Sequence, residues 1–476
     1  MIDTGCRWLA IAAVAACAGP PSRTSSGVED PSLPNVVLLL CDDLGWGDVG
    51  FQGNERIETP HLDAMARGGL RFTRFYAAAP VCSPTRGAYL TGRHPHRYGI
   101  PGANSGHMRP EELTLAEVLA DLGYATGHFG KWHLGTLTTA IEDSNRGRPG
   151  EGEHFAPPWL HGFQRCFSTE AKVPTWDPML RPRDADNRAW DALVDGRDAE
   201  PYGTHYWNEK GEVVRDGLRG DDSRVILDRV IPFVEQAAGE GRPFFAVVWF
   251  HTPHLPVVAG PEYAARYPEC SLYERNYYGC ITAMDEQVGR LRAALRDLGV
   301  AGDTLLCFSS DNGPEGAAGE APGSAGPFRG RKRSLHEGGV RVPGVFEWPG
   351  RIPPGETDCA AVSSDVLPTI LELCGVEHRG PRPLDGVSLV PVLVGEVHER
   401  PQPIGFRSRR QRAWHDGRHK LISTDDGESY ALYDLVADPG ESVDLAAREP
   451  ERVEHMRAAL HAWIESCERS DRGGDY

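Results

Sequence analysis

The chain has 476 residues, enough for one large domain with an appendage or for two to three ordinary domains, and its 40% hydrophobic and 25% charged residues describe a globular protein. Asp and Glu number 68 against 50 Lys and Arg, a formal charge of −18 that argues against nucleic acid as a partner. An anionic substrate must then be drawn in by a local basic patch, because the field of the whole molecule repels it.

At the N-terminus Arg7 precedes an apolar run from Trp8 to Ala16. The run is too short to span a bilayer and reads as the core of an export signal over residues 1–17. Val14-Ala15-Ala16-Cys17 is similar to a bacterial lipobox, which would put a lipid on Cys17; an ordinary cleavable signal is the other reading. Either way the protein is expected outside the cytoplasm, periplasmic or at the cell surface, and a membrane enters only through that lipid. Residues 18–34, rich in Ser, Pro and Gly, read as a flexible tether.

Then comes Asn35-Val36-Val37-Leu38-Leu39-Leu40-Cys41, a continuous apolar run of strand length that stops at Asp42-Asp43. Such a run fits a strand covered on both faces, as in a parallel α/β sheet. The arrangement recurs: Tyr124 to Phe129 precedes Gly130-Lys131-Trp132-His133, Phe244 to Phe250 precedes His251-Thr252-Pro253-His254, and Thr304 to Ser310 precedes Asp311-Asn312. Four expected strands thus end in titratable or metal-binding residues, and ligands of open α/β sheets sit beyond the carboxyl ends of the strands. Amphipathic helices are expected between them, with Leu115, Val118, Leu119 and Leu122 on one face, Val288, Leu291, Leu295 and Leu298 on another, and Asp365 capping a third.

The expected fold is α/β: a large mixed, mainly parallel sheet sandwiched by helices over residues 35–400, with a smaller C-terminal α+β subdomain over 401–476. Residues 137–222, rich in Pro, Gly, Trp and charge and poor in periodicity, read as a loop-rich insertion overhanging the site, where Trp159, Trp176, Trp190 and Trp207 offer stacking faces. After 401 three short antiparallel strands with turns at Asp416-Gly417 and Asp426-Gly427 precede a helix carrying Val453, Met456, Leu460, Trp463 and Ile464. The run Arg409-Arg410-Gln411-Arg412 could touch an anionic substrate, but a solvated loop leading into the first C-terminal strand is the preferred reading. Of the cysteines, Cys41 and Cys307 are expected as buried thiols, and Cys270 and Cys280 could pair.

The stretch Pro80-Val81-Cys82-Ser83-Pro84-Thr85-Arg86-Gly87 binds this together. Ser83 can cap a helix with Pro84 in its first position, leaving Cys82 just ahead of free N–H groups and Arg86 one turn away, an anion site around a thiol. Cys-x-Pro-x-Arg resembles the maturation signal of the type I sulfatases of the alkaline phosphatase superfamily, in which the Cys is oxidised to formylglycine. The resemblance extends over nearly the whole mature chain through Asp42-Asp43, Gly-Lys-Trp-His-Leu-Gly, Pro-His-x-Pro and Asp311-Asn312-Gly313. Two positions depart from it: the family more usually has Ser or Ala at Thr85, and commonly Gly at Arg331, which predicts a more basic site.

The resemblance implies that Asp42, Asp43, Asp311 and Asn312, with Cys82 as formylglycine, hold a divalent ion, Ca²⁺ or else Mg²⁺; four hard oxygen donors suit either better than Zn²⁺. It implies that Arg86, Lys131 and Lys332 surround the sulfate oxygens, that His133 acts on the formylglycine, and that His254, preferred to His251, contacts the sulfate and the bridging oxygen. His94, His96, His128 and His336 read as packing or surface histidines. The implied activity is hydrolysis of a sulfate ester, with a sulfated carbohydrate favoured as substrate and a formylglycine-generating or equivalent enzyme needed as maturation partner. Two alternatives stay open: a phosphodiesterase or phosphonate monoester hydrolase of the same superfamily, and a non-catalytic binder of sulfated glycans.

Overall fold

A computed structural model describes residues 33–193, 198–378 and 382–476. The signal, the lipobox with Cys17, and the tether up to residue 32 lie outside the described residues. In chain order the strands are β1 (Asn35–Cys41), β2 (Leu70–Tyr76), β3 (Ala125–Lys131), β4 (Arg165–Thr169), β5 (Leu180–Pro182), β6 (Ala199–Pro201), β7 (Tyr206–Asn208), β8 (Val213–Val214), β9 (Phe244–Trp249), β10 (Thr304–Ser310), β11 (Arg341–Glu347), β12 (Gly355–Thr357), β13 (Ala361–Val362), β14 (Ile404–Ser408), β15 (Gln411–His415), β16 (His419–Ser423) and β17 (Ala431–Asp434). The main sheet runs β12-β2-β11-β10-β1-β9-β3-β4-β7-β8, with β13 beside β2. Its centre, β10-β1-β9-β3-β4, is parallel throughout, and β11 and β7 pair antiparallel at either side.

The continuous apolar run of β1 has a direct cause. Val36, Leu38 and Leu40 face one core, shared with Leu90, Leu115, Leu119 and Ile370 of the helices Cys82–Thr91, Leu115–Asp121 and Val366–Leu373. Val37, Leu39 and Cys41 face the other, against the helices Asp222–Gly239 and Leu272–Asp297. Side chains alternate across a strand, so a strand covered on both sides has no polar face to spare. No helix among the described residues is long and apolar enough to cross a membrane.

The second sheet, β14-β15-β16-β17, is antiparallel and carries the helix Pro450–Arg469, whose Met456, Leu460 and Ile464 are buried. It shares a core with the larger unit: Ile404, Phe406, Ala413 and Ile422 pack with Tyr76, Ala78, Ala88 and Leu335. The joint also carries charge. Buried Lys420 on β16 donates to Glu337 at 2.9 Å and lies 3.2 Å from Glu441.

Several local expectations are corrected. Cys82 is the first residue of its helix and Val81 the N-cap, with no side-chain cap, so Ser83 does not cap and its hydroxyl has no partner. The turn is closed by Thr85 instead, whose hydroxyl accepts from Ala79 N at 3.2 Å and donates to Ala79 O at 3.0 Å. Asp365 does not cap through its side chain either; its carboxylate accepts from Val362 N and Val387 N, each at 2.8 Å, and pairs with Arg400, tying three segments together. Residues 137–222 are less loop-like than their composition suggests, because β4 adds a parallel strand to the main sheet and β7 and β8 extend it. Cys270 and Cys280 are both free thiols, as are Cys41 and Cys307. The strand β14 was not expected, which makes Arg409 and Arg410 the two-residue tip of the β14–β15 hairpin.

Burial would raise the Glu337 carboxyl, but Lys420, Arg341 and His415 outweigh it and hold it at about 2 against an ordinary 4.5. A depressed carboxyl contributes stability that is complete above about 4.5 and lost as pH falls through about 2. Replacing Lys420 with Met leaves two buried carboxylates without their cation and should destabilise the fold by about 3–5 kcal/mol at neutral pH. Urea denaturation of both chains from pH 7 down to pH 2 checks this: the gap between them should close as the pH falls through that window.

Candidate active site

Because β10, β1, β9 and β3 are neighbours and parallel, the residues that follow them emerge side by side. Asp42 and Asp43 leave β1, Asp311 and Asn312 leave β10, the segment from His251 leaves β9, and β3 ends at Lys131. Gly130 makes that last step possible. Its φ is 105°, and a Cβ there would lie 1.9 Å from the Trp249 carbonyl oxygen. Asp43 and His133 also hold positive φ, 69° and 58°, a strained state for residues with a side chain that often marks working sites.

Three carboxylates and three cations interlock here, every one at most 1% exposed except Lys332, which is half-buried. Arg86 donates to Asp311 Oδ2 through Nε at 3.0 Å and Nη2 at 2.6 Å, and through Nη1 to the Lys131 carbonyl at 3.0 Å. Lys131 Nζ donates to Asp42 Oδ2 at 2.6 Å. Lys332 Nζ lies 2.7 Å from Asp43 Oδ1 and 3.2 Å from Glu315 Oε2. Asn312 Nδ2 donates to Asp43 Oδ1 at 2.7 Å, which turns its carbonyl oxygen, buried and unpartnered, the other way.

This donor set fits a hard divalent cation. The oxygens are carboxylate and amide, and two of them, Asp42 Oδ1 and Asn312 Oδ1, are buried without a hydrogen-bond partner. Asp42, Cys82 and Asp311 offer ligand atoms within 4.8 Å of one another, as do Asp42, Asp43 and His254. Electrostatics point the same way. Burial would raise Asp42, but Lys131, with Arg86 and Lys332, holds it well below the usual carboxylate range. Burial and the Asp42 charge push Asp311 up to about 7 against Arg86 and Lys131. Two carboxylates this close share the same cations, and a divalent ion between them would favour the ionised form of both.

The two histidines have defined tautomers. His254 Nδ1 lies 2.7 Å from the Leu255 carbonyl, which can only accept, so Nδ1 carries the proton and Nε2 is free, 3.6 Å from Asp43 Oδ2. His133 Nε2 lies 2.9 Å from Asn104 Oδ1, an oxygen that also accepts from Asn145, so Nε2 carries the proton and buried Nδ1 has no partner. Burial brings His254 down to about 4, with Lys332 and Lys131 adding to it; burial, Lys131 and Arg86 hold His133 well below the ordinary value. Both imidazoles are therefore neutral, with one bare nitrogen each.

Cys82, Lys131, His133, His254 and Lys332 line one cavity of about 590 Å³. The Cys82 thiol stands where an aldehyde would be made from it, and burial pushes its pKa up, so it is no ready thiolate. Beneath the cavity lie Asp42, Asp43, Asp311 and Asn312. The structure thus gathers every residue expected from the sequence, with one changed position. Arg86 does not line the cavity: fully buried, it donates to Asp311 and the Lys131 carbonyl and lies over the Trp249 ring at 5.2 Å, which places it to hold the Asp311 carboxylate.

His251, the less favoured of the two, is kept out of the cavity by contacts of both nitrogens, with Asp222 at 2.7 Å and Thr169 at 2.8 Å. His96, read as a packing or surface histidine, lines the cavity. Another expectation changes: Arg331 does not line it but donates to the Glu315 carbonyl, so it does not make the cavity more basic. None of Trp159, Trp176, Trp190 and Trp207 lines it: Trp190 and Trp207 are buried, Trp176 lies over Gly260, and Trp159 packs on the core. Missed from the sequence were Asn104, Asn145, Lys172 and Arg407, which reach the cavity from loops and the second sheet and belong to no motif; Arg409, read as a solvated loop residue, reaches it as well.

Two family models match the chain, "Sulfatase" over residues 34–376 and "N-sulphoglucosamine sulphohydrolase, C-terminal" over 327–470. The chain is 36% identical to the N-acetylgalactosamine-6-sulfatase of Sus scrofa over 391 residues, 78% of this chain and 68% of that protein. It is 35% identical to arylsulfatase A of Bos taurus over 450 residues, 90% and 82% of the two chains. Among solved structures, Ps i-CgsB in complex with k-i-k-neocarrahexaose superposes with a TM-score of 0.76 at 26% identity, covering 91% of this chain and 93% of that one.

If Arg86 orients Asp311, Arg86→Met should weaken divalent-cation binding about 10- to 100-fold, the usual effect of losing an outer-shell partner. Calorimetric titration of Ca²⁺ and of Mg²⁺ into the metal-stripped chain measures it. Unchanged cation affinity with a raised KM for a sulfate ester would mean that Arg86 faces the substrate after all.

Proposed function

The chain belongs to the sulfatase family and is a sulfuric ester hydrolase, and from that premise we propose that it removes sulfate from a sulfated carbohydrate, using formylglycine made from Cys82 and a bound Ca²⁺. The observation that carries the substrate class is the cavity lining. Apart from Val81, Pro101, Gly102, Ala103 and Ala171 it is made of polar and charged side chains, with no Phe, Tyr, Trp, Leu or Ile. Such a wall suits a hydroxyl-rich sugar and offers little to a steroid or an aromatic ring. Two of the similar proteins, an N-acetylgalactosamine-6-sulfatase and one solved in complex with neocarrahexaose, support the same class.

Lys131 and Lys332 hold the non-bridging oxygens of the ester, fixed in place by Asp42 and Asp43 so that no reorganisation is needed as charge shifts during S–O cleavage. Once oxidised and hydrated, residue 82 would supply two geminal hydroxyls, one nucleophilic toward sulfur and one able to release a proton, and a cation, which Asp42, Asp43, Asp311 and Asn312 would hold, would supply Lewis acidity. His133 Nδ1, bare and neutral, takes that proton, while Asn104 holds the ring in its tautomer. His254 Nε2 faces the departing oxygen, and the Leu255 carbonyl keeps it the reactive nitrogen. At 2% exposure Cys82 must be oxidised before the fold closes over it, which requires a formylglycine-generating or equivalent maturation enzyme. The N-terminal run supports export to the periplasm or cell surface, with Cys17 as the point of lipid attachment.

Mass analysis of the peptide containing residue 82 should show sulfur replaced by oxygen, and Cys82→Ala should abolish turnover. On a panel of sulfated mono- and oligosaccharides, 4-nitrophenyl sulfate and a steroid sulfate, kcat/KM should be highest for a sugar. Turnover confined to the aryl and steroid esters would refute the carbohydrate assignment, and faster cleavage of an aryl phosphate diester than of any sulfate would refute the choice of sulfate.

A further inference from the structure

The cavity is larger than its chemistry requires. At about 590 Å³ it lies well within the range of about 300–1,000 Å³ that encloses a whole small ligand, so a single sulfate leaves most of it for the group that carries the ester. Beyond Lys131 and Lys332 it is lined by four more cations: Lys172 from the segment after β4, Arg333 from the loop before β11, and Arg407 and Arg409 from the second sheet. In a chain of net charge −18 such a concentration of positive charge calls for a reason.

Two of the four are already neutralised. Arg333 makes a forked pair with Glu315 at 2.6 and 2.9 Å, and Arg407 pairs with Glu468 at 2.9 Å. Lys172 and Arg409 differ: among the described residues neither side chain forms an ion pair or a hydrogen bond. Lys172 is half-buried, so its ammonium has given up part of its hydration without a carboxylate in contact; burial lowers its pKa, and the repulsion of Lys131 and Lys332 outweighs the pull of Asp42 and Asp43, charges already taken up by those two lysines. Arg409 stands at the first position of the two-residue loop between β14 and β15, with φ at 53°. Hairpin loops of that length favour Gly or Asn where φ is positive, so the backbone gains nothing from an Arg there. Of the ten non-glycine residues with positive φ among the described residues, Asn104, His133, Arg333 and Arg409 line this cavity, and strain gathered at one place marks a working surface.

We propose that Lys172 and Arg409 form a second anion subsite, which takes a further negatively charged group of the substrate, a sulfate or a carboxylate, carried beside the ester being cleaved. The inference rests on the sulfatase reading of the cavity and narrows it to polyanionic saccharides. The subsite is assembled from two units: Lys172 follows a strand of the main sheet, and Arg409 comes from the hairpin that the C-terminal sheet lays against it. The C-terminal sheet is then part of the recognition surface as well as of the fold.

The test compares wild type with Lys172→Gln, Arg409→Gly and the double variant. Glycine is the residue the backbone at 409 prefers, so Arg409→Gly keeps the hairpin, and the joint with Glu337 is untouched. Three substrates are used: 4-nitrophenyl sulfate, a disaccharide with two sulfates, and a disaccharide with one sulfate and one carboxylate. The ratio of kcat/KM for a doubly charged sugar to that for 4-nitrophenyl sulfate should fall about tenfold in each single variant and further in the double one. The disaccharide whose ratio falls identifies the second group as sulfate or carboxylate. Equal losses on all three substrates, or none on either disaccharide, would overturn the subsite. Calorimetric binding of the same disaccharides keeps this separate from the activity itself: should the chain turn over no sulfate ester, Kd for a doubly charged disaccharide must still rise about tenfold in the variants, and an unchanged Kd would reject the subsite on its own.

Discussion

The structure depends on one constraint, the need to keep three carboxylates and three cations together out of water. Asp42, Asp43 and Asp311 are at most 1% exposed, and so are Arg86 and Lys131. Burying any of these charges alone would cost several kcal/mol, and their mutual attraction offsets that only if the geometry is held closely. The sheet holds it. Four neighbouring parallel strands end side by side, so short stretches of backbone, each anchored in a core that covers both sheet faces, fix Asp42, Asp43, Asp311 and Lys131, while the helix Cys82–Thr91 brings Arg86 and the loop before β11 brings Lys332. A site made this way is preorganised by the fold and not by the ligand.

That constraint explains the division of labour within the site. Arg86, although it belongs to the same motif as Cys82, lies behind the carboxylates and aligns Asp311, while Lys131 and Lys332 face the cavity. Each histidine likewise uses one nitrogen to fix its ring and leaves the other bare, His133 through Asn104 and His254 through the Leu255 carbonyl.

The sequence made the inner part of this arrangement legible and the outer part not. Mainly apolar runs ending in Asp42-Asp43, Lys131 or Asp311-Asn312 announce parallel strands with a shared ligand edge, because a strand buried on both faces carries few charged residues before its end. Period and spacing carry that signal. The cavity wall carries none: Asn104, Lys172 and Arg409 sit in loops or at a hairpin tip, and their meeting is decided by how the second sheet docks. Composition misled where it stood in for position. The tryptophans between 137 and 222 suggested stacking faces, yet Trp159 and Trp207 pack on the core, Trp190 is buried and Trp176 lies over Gly260, while the run 409–412 that read as loop holds the hairpin tip and the start of β15. The helix start misled for a similar reason, since Ser83 and Pro84 look like a cap and first turn while the chain enters its helix at Cys82.

The most direct test of the account is a crystal structure of the chain oxidised at residue 82, grown with Ca²⁺ and soaked in inorganic sulfate. The account predicts the cation bound by Asp42, Asp43, Asp311 and Asn312, and the sulfate between residue 82, Lys131 and Lys332. A cation bound elsewhere, or a sulfate that leaves Lys131 and Lys332 paired only with their aspartates, would contradict it.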